Sequence, residues 1–258
     1  MRFASLGSGS EGNALLVQSG ASTIMIDCGF GVRQAIDRCA RLGVDAAMLD
    51  AIVVTHEHGD HVGGVPRLAR RFDIPVWLTF GTLAATESRW DGCTLRGFDS
   101  HDPFAIGDLE VQPFPVPHDA REPVQFVFSA AGRRLGMLTD CGRITPHVVD
   151  VLSPCDALVL EFNHDRERLA VSSYPPSLKA RIAGGYGHLE NAQALSLLQT
   201  LDVGRLQHLV AAHLSEENNC PRAVEALLAP LFAGDRRRFD IADQADGQGR
   251  QLSGAGFD

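Results

Sequence analysis

Apolar residues in this chain come in short runs that end on polar residues, and several runs are separated by segments of helical period. Arg2–Leu6, Ala14–Gln18 and Thr23–Ile26 read as strands, joined by a glycine-rich stretch, Gly7 to Asn13, and by the turn 19–22. The glycine-rich stretch matches neither a dinucleotide nor a P-loop pattern, because no lysine follows it and a strand comes next; it reads as a tight hairpin. Val32, Ile36 and Cys39 share one face of a helix over Val32–Leu42, with Gly43 as its C-terminal cap. Ala51–Thr55 is a buried strand. Val62–Phe72 reads as a helix in which Pro66 is admissible only in the first turn. Pro75–Thr79 is a strand and Gly81–Ser88 a short helix.

From residue 95 the pattern turns to strands: Leu109–Pro113, Gln125–Ser129 and Arg134–Thr139. Then come a helix over Pro146–Leu152, a buried strand at Ala157–Glu161, a helix over Asn191–Leu201 with Asn191 as a candidate N-cap, a strand at His208–Ala212, a helix over Pro221–Leu231 and a last strand at Phe239–Ala242. Leu138-Thr139-Asp140-Cys141-Gly142 repeats the earlier Met25-Ile26-Asp27-Cys28-Gly29, which suggests two similar halves. No linker or composition break interrupts the chain. The expectation is one α/β domain over residues 1–258, with sheets covered by helices.

With 258 residues and 45% hydrophobic content the chain can bury a sizeable core. A net charge of −9 argues against a basic nucleic-acid coat protein. It does not argue against an enzyme that meets phosphate through metal ions. The six cysteines form no C-x-x-C pair, the N-terminus lacks a signal peptide's apolar core, and no apolar run would span a bilayer. The expected setting is the cytoplasm, with reduced thiols and no membrane partner.

The densest chemistry is Thr55-His56-Glu57-His58-Gly59-Asp60-His61. Three imidazoles and a carboxylate that close together point to metal. In an extended segment His56 and His58 face the same side, and Gly59 lets the backbone turn so that Asp60 and His61 open the next helix. His118, Asp140 and His213 are the candidates for completing two sites. Each is unremarkable alone as a loop residue, but each follows an apolar run and can emerge at one edge of the sheets. Cys141, beside Asp140, should point away from it and not ligate, and the same holds for Cys28.

The order His56-x-His58-x-Asp60-His61, His118, Asp140, His213 resembles the ligand motifs of the metallo-β-lactamase fold superfamily, from the first strand to about residue 245. The resemblance implies a four-layer αβ/βα sandwich of two similar halves. It also implies two divalent ions (zinc, manganese or iron), one on His56, His58 and His118 and one on Asp60, His61 and His213, with Asp140 bridging. His58 stands where flavo-diiron reductases carry glutamate, which disfavours redox use, and Asp140 stands where class B β-lactamases carry cysteine. Gly187-His188-Leu189-Glu190-Asn191-Ala192 resembles the histidine segment of the tRNase Z and phosphodiesterase branch. Leu160-Glu161-Phe162-Asn163-His164-Asp165 resembles the segment whose glutamate orients that histidine. The catalytic residues so implied are Asp60, His188 and Glu161. His188 could otherwise cap the helix after it, and His164 fits either a supporting role or an exposed loop.

Ser8-Gly9-Ser10-Glu11-Gly12-Asn13 and Ala212-His213-Leu214-Ser215-Glu216-Glu217-Asn218-Asn219 look like the YycJ/WalJ subgroup, which is associated with 5′-to-3′ exonuclease activity on DNA. The expected substrate is therefore nucleic acid, DNA ahead of RNA. Two alternatives use the same residues: a phosphodiesterase for small cyclic phosphates or phosphonates, and a non-catalytic metal-binding regulatory module. Arg143, Arg67, Arg70, Arg71 and Arg236-Arg237-Arg238 are candidate phosphate contacts, although solvated surface explains them equally well. His101, His147 and His208 carry no motif and read as structural or surface residues.

Overall fold

The computed structural model describes residues 1–244; the rest of the expected domain span, residues 245–258, lies outside the described residues. The first sheet runs β1 (Arg2–Gly7), β2 (Ala14–Ser19), β3 (Ser22–Ile26), β4 (Ala51–Val53), β5 (Val76–Thr79) and β6 (Leu95–Phe98), in that spatial order. Its first three strands are antiparallel and β3 to β6 are parallel. The second sheet holds β7 (Phe104–Ile106), β8 (Leu109–Pro115), β9 (Val124–Ala130), β10 (Arg133–Leu138), β11 (Ala157–Glu161), β12 (His208–Ala212) and β13 (Phe239–Ile241), again in chain order across the sheet. Strands β7 to β10 are antiparallel and β10 to β13 parallel. Apart from β7, each strand of the second sheet has a counterpart in the first, so the chain folds as two similar halves.

Parallel pairs need crossovers, and helices supply them. In the first half these are α1 (Val32–Arg41), α2 (Gly59–Val62) with α3 (Val65–Phe72), and α4 (Phe80–Thr86). In the second they are α5 (Pro146–Leu152), then α6 (Arg166–Val171), α7 (Pro176–Ile182) and α8 (Asn191–Thr200), and α9 (Pro221–Leu228). Strand alternation then divides the core. Ile24 and Ile26 face the other sheet, where they meet Phe126, Phe128 and Val159. Met25, Ile52 and Val54 face the helices and pack on Ala35, Cys39 and Leu68. In the second sheet Leu158, Leu160 and Leu209 pack on Val148, Leu197 and Val224. The layers are thus helix, sheet, sheet, helix: the four-layer αβ/βα sandwich. Strands covered on both faces must be apolar throughout, which is why they appear as unbroken runs.

Several sequence expectations change. The helix over Val62–Phe72 is two helices, broken at Gly63-Gly64. The Gly64 N–H donates to Cys28 O at 2.7 Å, and a Cβ there would collide with the Phe30 carbonyl. Pro66 falls in the first turn of α3, as its missing N–H requires. Glu190, not Asn191, is the N-cap of α8, and Asn191 is buried and bonded to Asn219 instead. Strands β6 and β7 and helices α6 and α7 have no counterpart in the sequence pattern. Among the described residues no helix is long and apolar enough to cross a membrane.

Candidate metal centre

Every candidate residue sits at or just beyond a strand's C-terminal end, or before a helix that follows one. His56 to His61 follow β4, His118 follows β8, Asp140 follows β10, Glu161 ends β11, His213 follows β12, and His188 precedes α8. Open sheets with parallel strands place sites at this edge, and here the two sheets bring both edges together. All seven candidate ligands converge. Ligand atoms of His56, His58 and His118 lie within 4.8 Å of one another, as do those of Asp60, His61 and His213, and those of His56, His61 and Asp140. Asp140 stands between the groups, with Oδ2 at 3.2 Å from His61 Nε2 and Oδ1 at 3.4 Å from His213 Nε2 and 3.9 Å from His118 Nε2.

The partners of the far ring nitrogens decide which atoms are free. Asp27 accepts from Thr55 Oγ1 and from His61 Nδ1, both at 2.8 Å. Thr55 Oγ1, having donated its proton, accepts from His56 Nδ1 at 2.9 Å. His118 Nδ1 donates to the Gly187 carbonyl at 3.0 Å, and His213 Nδ1 to Glu161 Oε1 at 3.2 Å. In each ring Nε2 is left as a lone pair turned to the centre, which is how bound histidines are held on metal. His56 Nε2, His213 Nε2 and Asp140 Oδ2 are buried without any hydrogen-bond partner. Ring lone pairs and carboxylate oxygens that face one another in a buried space need a cation between them, either a metal ion or a proton on Nε2. The residues therefore fit a divalent metal centre.

Electrostatics agree. Burial pushes the His61 pKa down, but the Asp140 and Asp27 carboxylates overcome it and hold the ring well above its ordinary value. Burial likewise lowers His213, yet Asp140 and the contacts with Asp60 and Glu161 raise it to about 10. His56, with burial and the neighbouring His61 both against its charged form, falls well below the ordinary value. Burial would raise the Asp60 carboxyl, but contacts from His213 and His61 hold it far down. Carboxylates strong enough to charge buried rings mark a place built for positive charge.

Beside this centre lies a second arrangement. Glu161 is fully buried; its Oε2 accepts from the backbone N–H of Cys141 at 3.0 Å and of Leu189 at 3.1 Å, and its Oε1 accepts from His188 Nδ1 at 2.8 Å. Burial raises its pKa, but His188 outweighs that and brings it down to about 2. His188 does not cap α8; it lines a cleft of about 380 Å³ together with Asp60, Asp140, His213 and Tyr174. His164 is buried, bonded through Nδ1 to Asn163 at 3.2 Å, with its pKa lowered to about 4 by burial, and so belongs to the supporting framework.

The glycine-rich turn does more than reverse the chain. Asn13 Nδ2 donates to Asp60 Oδ2 at 3.2 Å, and Ser8 Oγ accepts from the His213 N–H at 2.8 Å, so the turn fixes ligand candidates from both halves. Asn219 donates to the carbonyls of Phe162 at 2.8 Å and Asn163 at 3.1 Å, which ties the loop after β11 to the segment after His213. Cys28 and Cys141 are buried neutral thiols that donate to the carbonyls of Phe30 and Arg143. His208 opens β12 with its side chain mostly buried, Nε2 3.3 Å from Asp240 Oδ2. The arginines named as candidate phosphate contacts do not line this cleft, and most of them have protein partners. Arg70 donates to the carbonyls of Arg89 and Asp91, Arg238 to that of Leu206, Arg236 pairs with Glu225 and Arg237 with Asp235, and Arg143 lies over the Tyr186 ring. Arg67 and Arg71 are exposed on α3. The cleft is lined instead by Arg181, on a helix the sequence pattern did not reveal.

Fold and site together define a metal-dependent hydrolase. The chain belongs to the family described as the beta-lactamase superfamily domain, which matches residues 22–213. Within it, the chain is 34% identical over 252 residues to "Exodeoxyribonuclease YycJ" of Bacillus anthracis, covering 94% of this chain and 95% of that protein. It is 31% identical over 224 residues to "Exodeoxyribonuclease WalJ" of Streptococcus pneumoniae, covering 84% and 83%. The crystal structure of Zn(2+)-bound PqqB from Methylobacterium extorquens shares the fold, with a TM-score of 0.73 and 19% identity over 95% of this chain and 98% of that one.

Proposed function

We propose that the protein is a dinuclear metal-dependent phosphodiester hydrolase that degrades DNA from its 5′ end. The observation that carries this reading is the Glu161–His188 pair, 2.8 Å apart, set against Asp140 at the edge of the ligand cluster. His56, His58 and His118 would hold one divalent ion and Asp60, His61 and His213 the other, with Asp140 between them. When bound, such ions supply Lewis-acid charge that offsets the negative charge growing on a phosphoryl group. Glu161 stays ionised and holds the proton of His188 on Nδ1, which fixes the ring's orientation and leaves Nε2 to exchange a proton. In the proposed reaction His188 Nε2 delivers that proton to the leaving oxygen. The exonuclease names of the YycJ and WalJ relatives support nucleic acid, and DNA in particular, as the substrate.

The test is a panel of end-labelled single- and double-stranded DNA, RNA, bis-p-nitrophenyl phosphate and a cyclic nucleotide, given to protein loaded with zinc, manganese or iron. Release of nucleotides from the 5′ end of DNA is expected. Turnover confined to the small esters would make it a small-molecule phosphodiesterase, and no turnover at all with metals bound would leave a metal-binding module. His188→Ala should lower kcat by about 10²–10⁴-fold with the metal content unchanged. Unaltered kcat removes the proton-transfer role.

A further inference from the structure

Helix α7 buries none of its residues, so core packing does not explain its place. Hydrogen bonds do. Its Ile182 carbonyl accepts from the His188 N–H at 2.9 Å, and the Gly187 carbonyl just beyond it accepts from His118 Nδ1 at 3.0 Å. A Cβ on Gly187 would collide with the carbonyls of Arg181 and Ile182, so the return from α7 to His188 requires glycine there. The helix is thus hung from the site itself. One side, with Leu178, Arg181 and Ile182, faces the cleft, and Tyr174 lines the same cleft just before the helix begins.

Arg181 lines the cleft with a guanidinium, and its side chain is 59% exposed. Its Nε donates to Asp119 Oδ2, and among the described residues its two Nη groups have no partner. An exposed ion pair of this kind stabilises a fold by only about 0–1 kcal/mol, so stability is a weak reason for it. Geometry is a better one. Asp119 follows His118, and its other oxygen lies 3.6 Å from His118 Nε2 and 3.8 Å from His58 Nε2. The carboxylate therefore tethers the guanidinium beside the ligand cluster, in the cleft, while using only Nε. The paired Nη donors are left as a fork of the shape that takes two phosphate oxygens.

We infer that α7 is the substrate-binding wall of this site: Arg181, oriented by Asp119, binds a phosphate of a single nucleic-acid strand, and Tyr174 stacks on a base beside it. The inference rests on the phosphodiester reading above and deepens it to the class of substrate, a chain with accessible bases. Arg181 acts on binding, with Asp119 as its positioning residue.

The test uses the full chain loaded with metal and a 5′-phosphorylated, fluorescently labelled single-stranded oligonucleotide. Arg181→Ala should raise KM about 10- to 100-fold, the loss expected for one charge-assisted hydrogen-bonding group, with kcat changed less than threefold. Binding of the same oligonucleotide to His188→Ala protein, followed by anisotropy across a salt series, gives a readout independent of turnover. Adding Arg181→Ala to it should make the dependence of log Kd on log salt shallower by about 0.7, the value of one phosphate contact on a single strand. Arg181→Lys should restore the salt slope but only part of KM, because lysine keeps the charge and loses the fork. Tyr174→Ala should raise KM about fivefold or more, the cost of a lost base stack. Wild-type KM and salt slope in Arg181→Ala, or a fall in kcat with KM unchanged, would overturn the wall. An unchanged KM in Tyr174→Ala would overturn the stacking. If the loaded protein hydrolyses no phosphodiester yet Arg181→Ala flattens the salt slope, the hydrolase reading fails and the wall stands.

Discussion

The ends of β3 and β10 are the same device built twice. Each carries Asp-Cys-Gly, with the aspartate in left-handed backbone at φ 58° for Asp27 and 50° for Asp140. In each the cysteine Sγ donates to the carbonyl two residues on, at 3.6 Å for Cys28 and 3.1 Å for Cys141. In each the glycine touches backbone where a Cβ would collide, with Asp60 at Gly29 and with Gly185-Tyr186 at Gly142. The left-handed turn throws the carboxylate off the strand axis toward the site edge, and it persists because the surrounding contacts over-determine it. The two aspartates are then used differently. Asp27 stays behind the cluster and braces Thr55 and His61, while Asp140 stands inside it between the two histidine groups. The next strands diverge likewise: β4 leads to Thr55 and His56, whereas β11 ends in Glu161, which holds His188. One half supplies most of the ligand candidates, and the other supplies the carboxylate that stands between them and the Glu161–His188 pair.

This comparison breaks most sharply at Asp140. Asp140→Ala should bring phosphodiester hydrolysis to background while thermal unfolding shows a retained fold; full turnover would mean that the two aspartates are both bracing groups. Asp27→Ala should have a smaller effect of a different kind. Removing a partner behind the ligands lowers metal affinity by about 10–100-fold, measured by competition with a chelator, and leaves residual turnover at saturating metal. Equal, complete losses from both variants would erase the distinction.

The cysteines should differ least. Burial pushes both Cys28 and Cys141 up from 9.0 to about 12. A thiol raised in this way favours the folded protein fully below its unfolded pKa and loses that contribution as pH rises through the folded one. Both should therefore resist alkylation at pH 8 in the native state, and stability should decline between about pH 9 and pH 12. Rapid labelling of either at pH 8 would show that its loop opens.

The repeated Asp-Cys-Gly was legible in the sequence because both copies follow apolar strands; the seven ligand candidates were legible because four crowd into His56–His61 and the other three, His118, Asp140 and His213, each follow an apolar run. Asp27 was visible as a repeat but not as a brace, since its partners Thr55 and His61 are brought to it only by the β3–β4 pairing. Arg181 was hidden twice. Its helix buries nothing and so has no apolar period, and Asp119, which orients it, is far away in the chain. The break at Gly63-Gly64 was hidden because it is dictated by the approach of the loop Cys28 to Phe30, a tertiary contact.

The central claim is that Asp140 joins two metal positions into one hydrolytic centre. The direct measurement is metal stoichiometry by elemental analysis of wild-type and Asp140→Ala proteins, paired with release of nucleotides from 5′-labelled DNA by the same samples. The account predicts two ions per chain and 5′-end release for the wild type, and in Asp140→Ala fewer than two ions and no release. Wild-type turnover by Asp140→Ala protein, or release by wild-type protein holding one ion per chain, would contradict it.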